Sequence, residues 1–288
     1  MRDSRTHTPS IAVAVLVFCA ISATAQADFT SSIEALNPLA YWRLGESSGA
    51  TASDSSGFGR DGTYHNVSLG TQGSLFGDTD TAVSYRRHGY VDVDHDSAML
   101  MDNGTVQFRF MDTGSIRTAG LFSKDSSGYD HGGHLTVMID NGKVRTRLQS
   151  KTASYDVWSD EIGLDTWYMV TFTFGDDGMK LYMDDLLVDT NPYTGGLGTT
   201  SGGTGNTEPI AMGANTWASG NGTVKYLRDY FSGTMDEVVL FDYALSLETI
   251  SDLHEIGSTG VPEPATLSVL LLGALAVVRK RRRPRPVR

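Results

Sequence analysis

The sequence has almost no cysteine. Its one cysteine, Cys19, lies in an apolar segment near the amino terminus, and Phe18 precedes it where a lipid-attachment site needs a small residue. Because residues 1–27 have the features of a secretory leader, the mature protein is predicted to contain no disulfide and no cysteine nucleophile. An exported domain without disulfides must depend on a large core or on a bound metal.

Long apolar runs are also missing. The amino-terminal run extends from Ile11 to Ile21, follows two arginines and leads to Ala25-Gln26-Ala27. A charged start, a short apolar core and a small-x-small end are typical of a signal peptide, here cleaved before Asp28. Residues 1–27 are therefore predicted to be a signal peptide.

The carboxyl-terminal apolar run is short for a membrane span. Residues 265–278 carry no charge, but they number only fourteen, whereas a full span needs about 20. Pro262 and Pro264 interrupt regular structure before the run, and the seven lysines and arginines of residues 279–288 favour the cytoplasmic side. From these residues alone, a plain membrane anchor and a buried helix with a basic tail both stay open.

Pro262, Glu263 and Pro264, the short apolar segment and the basic end together resemble the PEP-CTERM sorting signal of Gram-negative bacteria. The resemblance covers residues 261–288. It implies export, transient retention in the inner membrane through a short transmembrane segment, and processing by an exosortase-type enzyme. It also implies that the protein is located at the cell surface or in the extracellular matrix, where it associates with extracellular polysaccharide.

Positive charge is scarce between the two ends. Two of the 23 lysines and arginines precede residue 28 and seven follow residue 260, so residues 28–260 keep 14 of them against 32 aspartates and glutamates. The resulting net charge of −18 repels nucleic acid and anionic lipid, and it excludes nucleic acid as a partner. Most of these carboxylates are read as the solvated surface of an exported domain.

Short segments of alternating apolar and polar residues fill the body of the chain. Examples are residues 105–110, residues 167–174, and a hairpin in which Asn141-Gly142 joins residues 135–139 to residues 143–148. No unit of about 20 to 50 residues recurs, so a solenoid or propeller is not supported. Residues 28–260 are therefore predicted to form one all-β domain, a sandwich or a barrel.

Two segments differ from this pattern. Ser246 to Ile256 is predicted as the one helix, with Ser246 as its cap and with Leu247, Ile250, Leu253 and His254 on one face. Residues 194–206 hold six glycines and are predicted as a mobile surface loop that cannot pack into a core.

Two groups of polar residues are given simple structural interpretations. Asp92 and Asp94 alternate with valines in one segment, so they are predicted to be the solvent face of a strand. His131 and His134 have a spacing that can serve zinc, but the sequence places no third ligand. These histidines are therefore predicted to be polar loop residues.

Four parts of the body, in the same order, resemble LamG-like domains of the concanavalin A-like lectin/glucanase superfamily. The resemblance covers nearly all of residues 33–256 and implies two curved antiparallel sheets packed face to face, a jelly roll. The parts are Ala40 to Glu46 with Asp54 to Gly57 and Asp61 to Tyr64; Gly89 to Val93 with Thr105 to Phe110; Trp167 to Phe172 with Gly178 to Asp184; and Gly233 to Phe241 with Ala244 to Ser246.

A calcium site is the metal site that this resemblance implies. Members of the superfamily often bind calcium between the early loop and the aspartate of the late strand, which gives Asp54 and Asp236, with Glu46 and Asp61 as weaker candidates. Calcium takes about six to eight oxygen ligands, and the Ser/Gly loop around Asp54 offers free carbonyls. The alternative is that Asp54 makes only an Asx turn and Asp236 only a hydrogen bond.

Catalytic patterns are absent from the sequence. Retaining glucanases of the superfamily carry Glu-x-Asp-x-x-Glu in a strand, because two carboxylates must flank the glycosidic bond. The nearest segment, Asp236 to Asp242, has the wrong spacing, and no Gly-x-Ser-x-Gly motif occurs. The protein is therefore not expected to be an enzyme.

Four aromatic residues in polar segments are candidates for stacking on sugar rings, with packing beneath loops as the alternative. They are Tyr155, Trp158, Tyr193 and Trp217. The expected function is binding of extracellular polysaccharide or another surface component by an exported, non-catalytic protein. A glycan-active enzyme with an unrecognised active site and a self-associating coat protein are the alternatives.

Overall fold

The computed structural model describes residues 28–115, 117–126, 128–129, 131–216, 224 and 226–259. The predicted signal peptide (residues 1–27), the predicted sorting signal (residues 261–288) and Trp217 lie outside these residues. No helix within the described residues is long and apolar enough to cross a membrane.

Strands dominate the described part of the chain, which confirms the predicted all-β class. In chain order the elements are α1 (Phe29–Ala35), β1 (Ala40–Trp42), β2 (Thr51–Ala52), β3 (Gly62–His65), β4 (Ser68–Gln72), β5 (Thr81–Tyr85), β6 (Tyr90–Val93), β7 (Gly104–Asp112), β8 (Thr118–Lys124), β9 (His134–Asp140), β10 (Lys143–Gln149), β11 (Ser154–Glu161), β12 (Trp167–Phe174), β13 (Met179–Met183), β14 (Leu186–Asn191), β15 (Ile210–Met212), β16 (Asn215–Thr216), β17 (Leu227–Arg228), β18 (Gly233–Phe241) and α2 (Leu247–Thr259), with short 3₁₀ helices at Ser97–Met99 and Thr199–Ser201.

Two antiparallel sheets form the sandwich. Sheet A has the order β14-β13-β12-β7-β18-β5-β4, with β1 also paired to β18. Sheet B has the order β11-β10-β9-β8-β15-β6-β3-β2, and β16 and β17 form a separate two-stranded hairpin. Strands distant in sequence are neighbours in both sheets, so the structure is the antiparallel jelly roll that the resemblance implies.

The main core lies between the two sheets. Alternate residues of β7, namely Val106, Phe108 and Phe110, point into it and are fully buried, and Trp42 of β1 joins them. Full burial of one large apolar side chain stabilises the fold by about 1.5–3 kcal/mol. The domain thus has the large core that the scarcity of cysteine demands.

A second, smaller core covers the outer side of sheet A. Ile33 of α1 and Ile250 and Leu253 of α2 pack there against Tyr41 and Val239 of the sheet. The outer side of sheet B carries no such helices among the described residues. Both cores are built within residues 28–259, so this domain can be produced without the two terminal segments.

The predicted helix is confirmed as α2. The hydroxyl of Ser246 accepts a hydrogen bond from the backbone N–H of Thr249 at 3.1 Å and caps the helix as expected. Ile250 and Leu253 are buried, whereas Leu247, which was predicted on the same face, is 54% exposed. Leu247 is the first residue of the helix.

The helix α1 was not predicted from the sequence. The carboxylate of Asp28 caps it by accepting from the N–H of Ser31 at 2.7 Å, and this bond contributes to a lowered pKa of Asp28. The segment has only seven residues, too few for a clear helical period. Its stability comes from burying Phe29 and Ile33 against sheet A.

The glycine-rich run of residues 194–206 packs into the domain, so the prediction that it cannot do so is wrong. Leu197 is buried, and its N–H donates to the carbonyl of Met101 at 2.8 Å. A Cβ atom at Gly196 would lie 2.3 Å from the carbonyl oxygen of Asp102, so glycine is required for this close approach. Backbone hydrogen bonds replace the side-chain packing that the run lacks.

Candidate ligand-binding site

Asp54, the first predicted calcium ligand, ties its own loop to β1. One carboxylate oxygen accepts from the N–H groups of Tyr41 at 2.9 Å and Ser56 at 3.0 Å, and the other accepts from the N–H of Arg60 at 2.9 Å. Three backbone donors therefore use both oxygens of Asp54. This geometry matches the alternative interpretation of Asp54 as a turn residue.

Glu46 and Asp61 are bound in the same way. Asp61 accepts from the backbone N–H of Asp54 at 2.8 Å. Glu46 accepts from the N–H of Ser53 at 2.8 Å and from the hydroxyl of Tyr64 at 2.5 Å. Both carboxylates thus stabilise the loop of residues 46–61, and Glu46 also lines a shallow surface pocket with Arg43 and Asp80.

Asp236 lies in β18 and is buried. One of its oxygens accepts from the N–H and the hydroxyl of Ser74 at 2.7 and 2.8 Å. Its other oxygen, Oδ1, has no hydrogen-bond partner among the described residues. Burial raises the pKa of Asp236 to about 6.

The four predicted ligands do not assemble into a metal site. Among the described residues, no three His, Cys, Asp or Glu side chains form a group that could hold a metal ion. The residues as placed do not fit a shared calcium ion, because the oxygens of Asp54 are already used and Asp236 is bonded to a different loop. Calcium stays a prediction of the resemblance.

An arginine supplies positive charge near Glu237, the residue that follows Asp236. The guanidinium of Arg43 pairs with Asp80, lies 3.6 Å from Asp78 and lies 3.8 Å from the buried carboxylate of Glu237. Burial alone would lower the pKa of Arg43, but the charges of Glu237 and Asp80 outweigh it and raise that pKa. Arg43 therefore occupies the acidic surroundings as a fixed cation.

His131 and His134 do not form a pair. His134 is a buried residue of β9 with its Nδ1 3.3 Å from a carboxylate oxygen of Asp125, so its predicted place in a loop is wrong. His131 instead contacts the hydroxyl of Thr204 at 3.0 Å. The turn between the two histidines carries them to different partners.

Of the predicted aromatic residues, Tyr155 and Tyr193 stack on each other. Their ring centroids lie 3.8 Å apart with an angle of 5° between the planes, and both pack against the main core. Trp158 differs, because its side chain on the edge strand β11 is 37% exposed. The guanidinium of Arg145 lies 4.8 Å from the centre of the Trp158 ring.

A second group of aromatic rings was missed by sequence reasoning. The ring of His65 stacks on Tyr90 with centroids 4.3 Å apart and an interplanar angle of 11°, and His65 Nε2 lies 2.7 Å from Asp92. The ring of His88 meets Tyr230 edge to face at 4.8 Å. We call these residues the Tyr90 cluster: His65, His88, Tyr90, Asp92 and Tyr230.

The sheet register explains why the Tyr90 cluster faces outward. Val91 and Val93 of β6 point into the main core, so Tyr90 and Asp92 point away from it, as the alternation predicts. In β3, His65 pairs directly with Tyr90. The alternation of β6 was visible in the sequence, but the pairing of β3 with β6 was not.

Turns at the end of the sandwich complete the Tyr90 cluster. The side-chain amide of Asn66 donates to the carbonyl of His88 at 3.3 Å and joins the turn after β3 to the turn after β5. Burial, followed by the charges of Asp92 and Tyr230, raises the pKa of Tyr90. The Tyr90 hydroxyl therefore stays protonated at neutral pH and can donate a hydrogen bond.

The Tyr90 cluster offers flat apolar ring faces beside a carboxylate and two phenolic hydroxyls. Aromatic faces bind apolar surfaces, and a few fixed polar groups give orientation, which is the usual composition of a small-molecule site. Pyranose rings present C–H faces and hydroxyl rims that match such a surface. The arrangement is suited to binding sugars.

The family of the chain follows from its sequence. A family model described as the concanavalin A-like lectin/glucanases superfamily matches residues 86–251, more than half of the chain. The chain belongs to this superfamily. No curated protein matches it.

Solved structures share the concanavalin A-like fold. The botulinum neurotoxin serotype D binding domain has a TM-score of 0.56 and 16% identity, covering 78% of this chain and 52% of that one. The serotype D ligand binding domain in complex with N-acetylneuraminic acid has a TM-score of 0.56 and 16% identity, covering 79% and 52%. The chain thus spans about half the length of these proteins, and at this identity the likeness shows the fold alone.

Proposed function

We propose that this is an exported, non-catalytic protein of the cell surface or extracellular matrix that binds extracellular polysaccharide through its LamG-like domain. The Tyr90 cluster is the observation that carries the proposal. His65 stacks there on Tyr90 beside Asp92 on the outer side of sheet B, and His88 meets Tyr230 in the adjoining turns, where no helix among the described residues covers them. The sialic acid complex of the neurotoxin domain is consistent with sugar binding by this fold.

Sugar binding at the Tyr90 cluster would use the rings and the polar groups together. The exposed parts of the Tyr90 and Tyr230 rings stack on the C–H face of a pyranose. The Tyr90 hydroxyl donates to a sugar oxygen, and Asp92 accepts from a sugar hydroxyl. His65 holds Asp92 in place at 2.7 Å.

Binding without hydrolysis follows from where the carboxylates lie. Acid catalysis on a glycosidic bond needs a carboxyl group whose pKa is raised by its surroundings. Among the described residues, burial raises the pKa of the carboxyls of Asp236 and Glu237 on sheet A and of Asp125, which follows β8 and is bound by Arg147 and Thr136. None of these three carboxyls belongs to the Tyr90 cluster, whose His65 and Tyr90 lie in β3 and β6.

The positions of the two ends of the domain fit surface display. Asp28 and Thr259 line one cavity on the helix-covered side of sheet A. We propose that residues 1–27 direct export and that residues 261–288 hold the protein transiently at the inner membrane before exosortase-type processing. Thr259, the last described residue before this segment, lies on the helix-covered side of sheet A, and the Tyr90 cluster lies on the other sheet.

Binding assays on residues 28–260 test the glycan proposal. We expect the domain to bind at least one polysaccharide on an array, and Tyr90→Ala and Tyr230→Ala each to weaken that binding about five- to tenfold, since each removes a stacking ring. Phe76→Ala is the matched control, because Phe76 is an exposed aromatic residue beside the cavity on sheet A. Release of reducing ends from the bound polysaccharide would contradict the non-catalytic part.

A further inference from the structure

A second ring surface stands at the opposite edge of sheet B. Trp158 of β11 has Arg145 over its ring at 4.8 Å, and Arg145 Nε donates to Asp156 at 2.8 Å. Arg145 also lies 3.4 Å from Asp140. We call these residues the Trp158 cluster: Asp140, Arg145, Asp156 and Trp158.

The Trp158 cluster repeats the construction of the Tyr90 cluster. In each, an aromatic ring has a nitrogen-bearing side chain stacked on one face, and an aspartate fixes that side chain. Arg145 and Asp156 do this for Trp158, as His65 and Asp92 do for Tyr90. Trp158 is still 37% exposed, and carboxylate acceptors lie beside Arg145.

Both clusters lie on the same side of sheet B. Val157 and Val144, which alternate with Trp158 and Arg145, belong to the main core, so Trp158 and Arg145 face outward. Tyr90 faces outward for the same reason in β6. Five strand spacings separate β11 from β6 in the sheet order, which places these two strands about 24 Å apart.

A hairpin covers the sheet between the clusters. Ser123 of β8 faces outward but is buried, because Thr216 of β16 lies on it with their hydroxyls 3.1 Å apart. The β16–β17 pair therefore occupies the middle of the face. The two clusters are separate contacts and do not form one continuous groove.

We propose that the Trp158 cluster is a second polysaccharide site, so that one domain holds glycan at two points. The ligand is an uncharged, hydroxyl-rich polysaccharide, because two aspartates surround the one arginine and leave the cluster with excess negative charge. This inference rests on the proposed glycan-binding function and adds a second site to it. When both sites hold the same polysaccharide chain, the apparent affinity for long chains rises. When the sites hold different polysaccharide chains, the domain cross-links them.

Titration of residues 28–260 with dextran, soluble starch, xyloglucan and galactomannan, and with a trisaccharide fragment of each, tests the second site. The four tryptophan indole N–H signals are followed by NMR, and Trp158→Phe assigns that of Trp158. We expect at least one trisaccharide to shift the Trp158 signal and to bind with a stoichiometry of two per domain. Trp158→Ala and Tyr90→Ala should each reduce this to one.

Long chains give the second readout. We expect the polysaccharide to bind at least tenfold more tightly than its trisaccharide, and Trp158→Ala to remove most of that gain while the trisaccharide still binds at the Tyr90 cluster. Trp158→Phe should retain the tighter binding of the long chain. An unchanged melting temperature of each variant shows that the variant is folded. Light scattering that rises with polysaccharide indicates cross-linked chains, and binding without such a rise indicates one chain held twice.

The outcomes separate the second site from the function as a whole. Binding of one trisaccharide per domain, insensitive to Trp158→Ala, overturns the second site and leaves the proposed function standing. Failure of all four uncharged polysaccharides to bind overturns the second site, and the array then decides whether charged glycans support the function. Failure on the whole array overturns both.

Discussion

Asp236 and Glu237 are consecutive residues of β18, yet both carboxylates are buried on the helix-covered side of sheet A. Successive strand residues normally face opposite sides. Here the register shifts between Asp236 and Val239, and Glu237 has a positive φ of 55°. This bulge turns Glu237 toward the hydroxyl of Tyr41, a member of the outer core, while Asp236 bonds to Ser74.

The buried pair makes stability depend on pH. Burial raises the pKa of Asp236 from 3.8 to about 6, and burial together with the neighbouring Asp236 raises that of Glu237. Between pH 3.8 and about pH 6 the folded state keeps a proton on Asp236 that the unfolded state has released. The free energy of unfolding therefore falls as pH rises through this range, and Glu237 acts in the same direction. For Asp236 the total loss in the free energy of unfolding is about 2–3 kcal/mol.

Asp236→Asn removes this cost while keeping the size of the side chain. We expect the variant to be more stable than wild type at pH 7.5 by about 1–3 kcal/mol and to lose most of the difference below pH 4. Urea unfolding across this pH range measures it. Asp94→Asn, at an exposed position, is the control. If Asp236→Asn were less stable than wild type at pH 7.5, the ionised carboxylate of Asp236 would be favourable in the fold.

Asp54 is predicted to stabilise the early loop without any ligand. Asp54→Ala leaves three backbone N–H groups without their acceptor, and each such loss costs about 1 kcal/mol or more. We expect a loss of about 2–3 kcal/mol in urea unfolding, measured in the presence of EDTA. An equal stability of Asp54→Ala and wild type in EDTA would mean that these hydrogen bonds contribute little, and that Asp54 acts only when a metal is bound.

The positive charge of Arg43 gives a test of whether calcium stabilises the domain. Because Arg43 already pairs with Asp80 and lies near Glu237, we expect calcium and EDTA to leave the melting temperature of the wild-type domain unchanged. Arg43→Gln removes the fixed cation, and we expect that variant alone to be stabilised by millimolar calcium. A calcium-dependent rise in wild type that disappears in Asp54→Asn would instead support the site that the resemblance implies.

Local pattern was enough to predict part of this structure. Alternation identified β7 and the β9–β10 hairpin, and Ser246 identified the start of α2. The helix α1 was not predicted, because its seven residues are stabilised by contact with sheet A and not by their own sequence. The glycine-rich run packs through its backbone, as at Leu197, and composition alone does not reveal backbone hydrogen bonds.

The candidate sites show where sequence reasoning stops. Trp158 was identified as an exposed aromatic candidate because its surroundings are polar. Tyr90 was not identified, because its neighbour His65 comes from a strand 25 positions earlier whose pairing no local pattern reveals. The calcium ligands were carried over by position, and the hydrogen bonds that use the oxygens of Asp54 depend on the folded loop.

The carboxyl-terminal segment gives a prediction that does not depend on the domain. We expect residues 261–288, fused to an exported passenger protein, to direct the passenger to the inner membrane, since fourteen uncharged residues are followed by a basic cluster. In a host with an exosortase, mass spectrometry should find the mature carboxyl terminus near Pro262, and replacing Pro262, Glu263 and Pro264 with alanine should leave the full-length tail in the membrane fraction. Deletion of residues 279–288 is the matched control for membrane retention. An intact tail on the native protein, in a host with an active exosortase, would show that the segment is a lasting anchor.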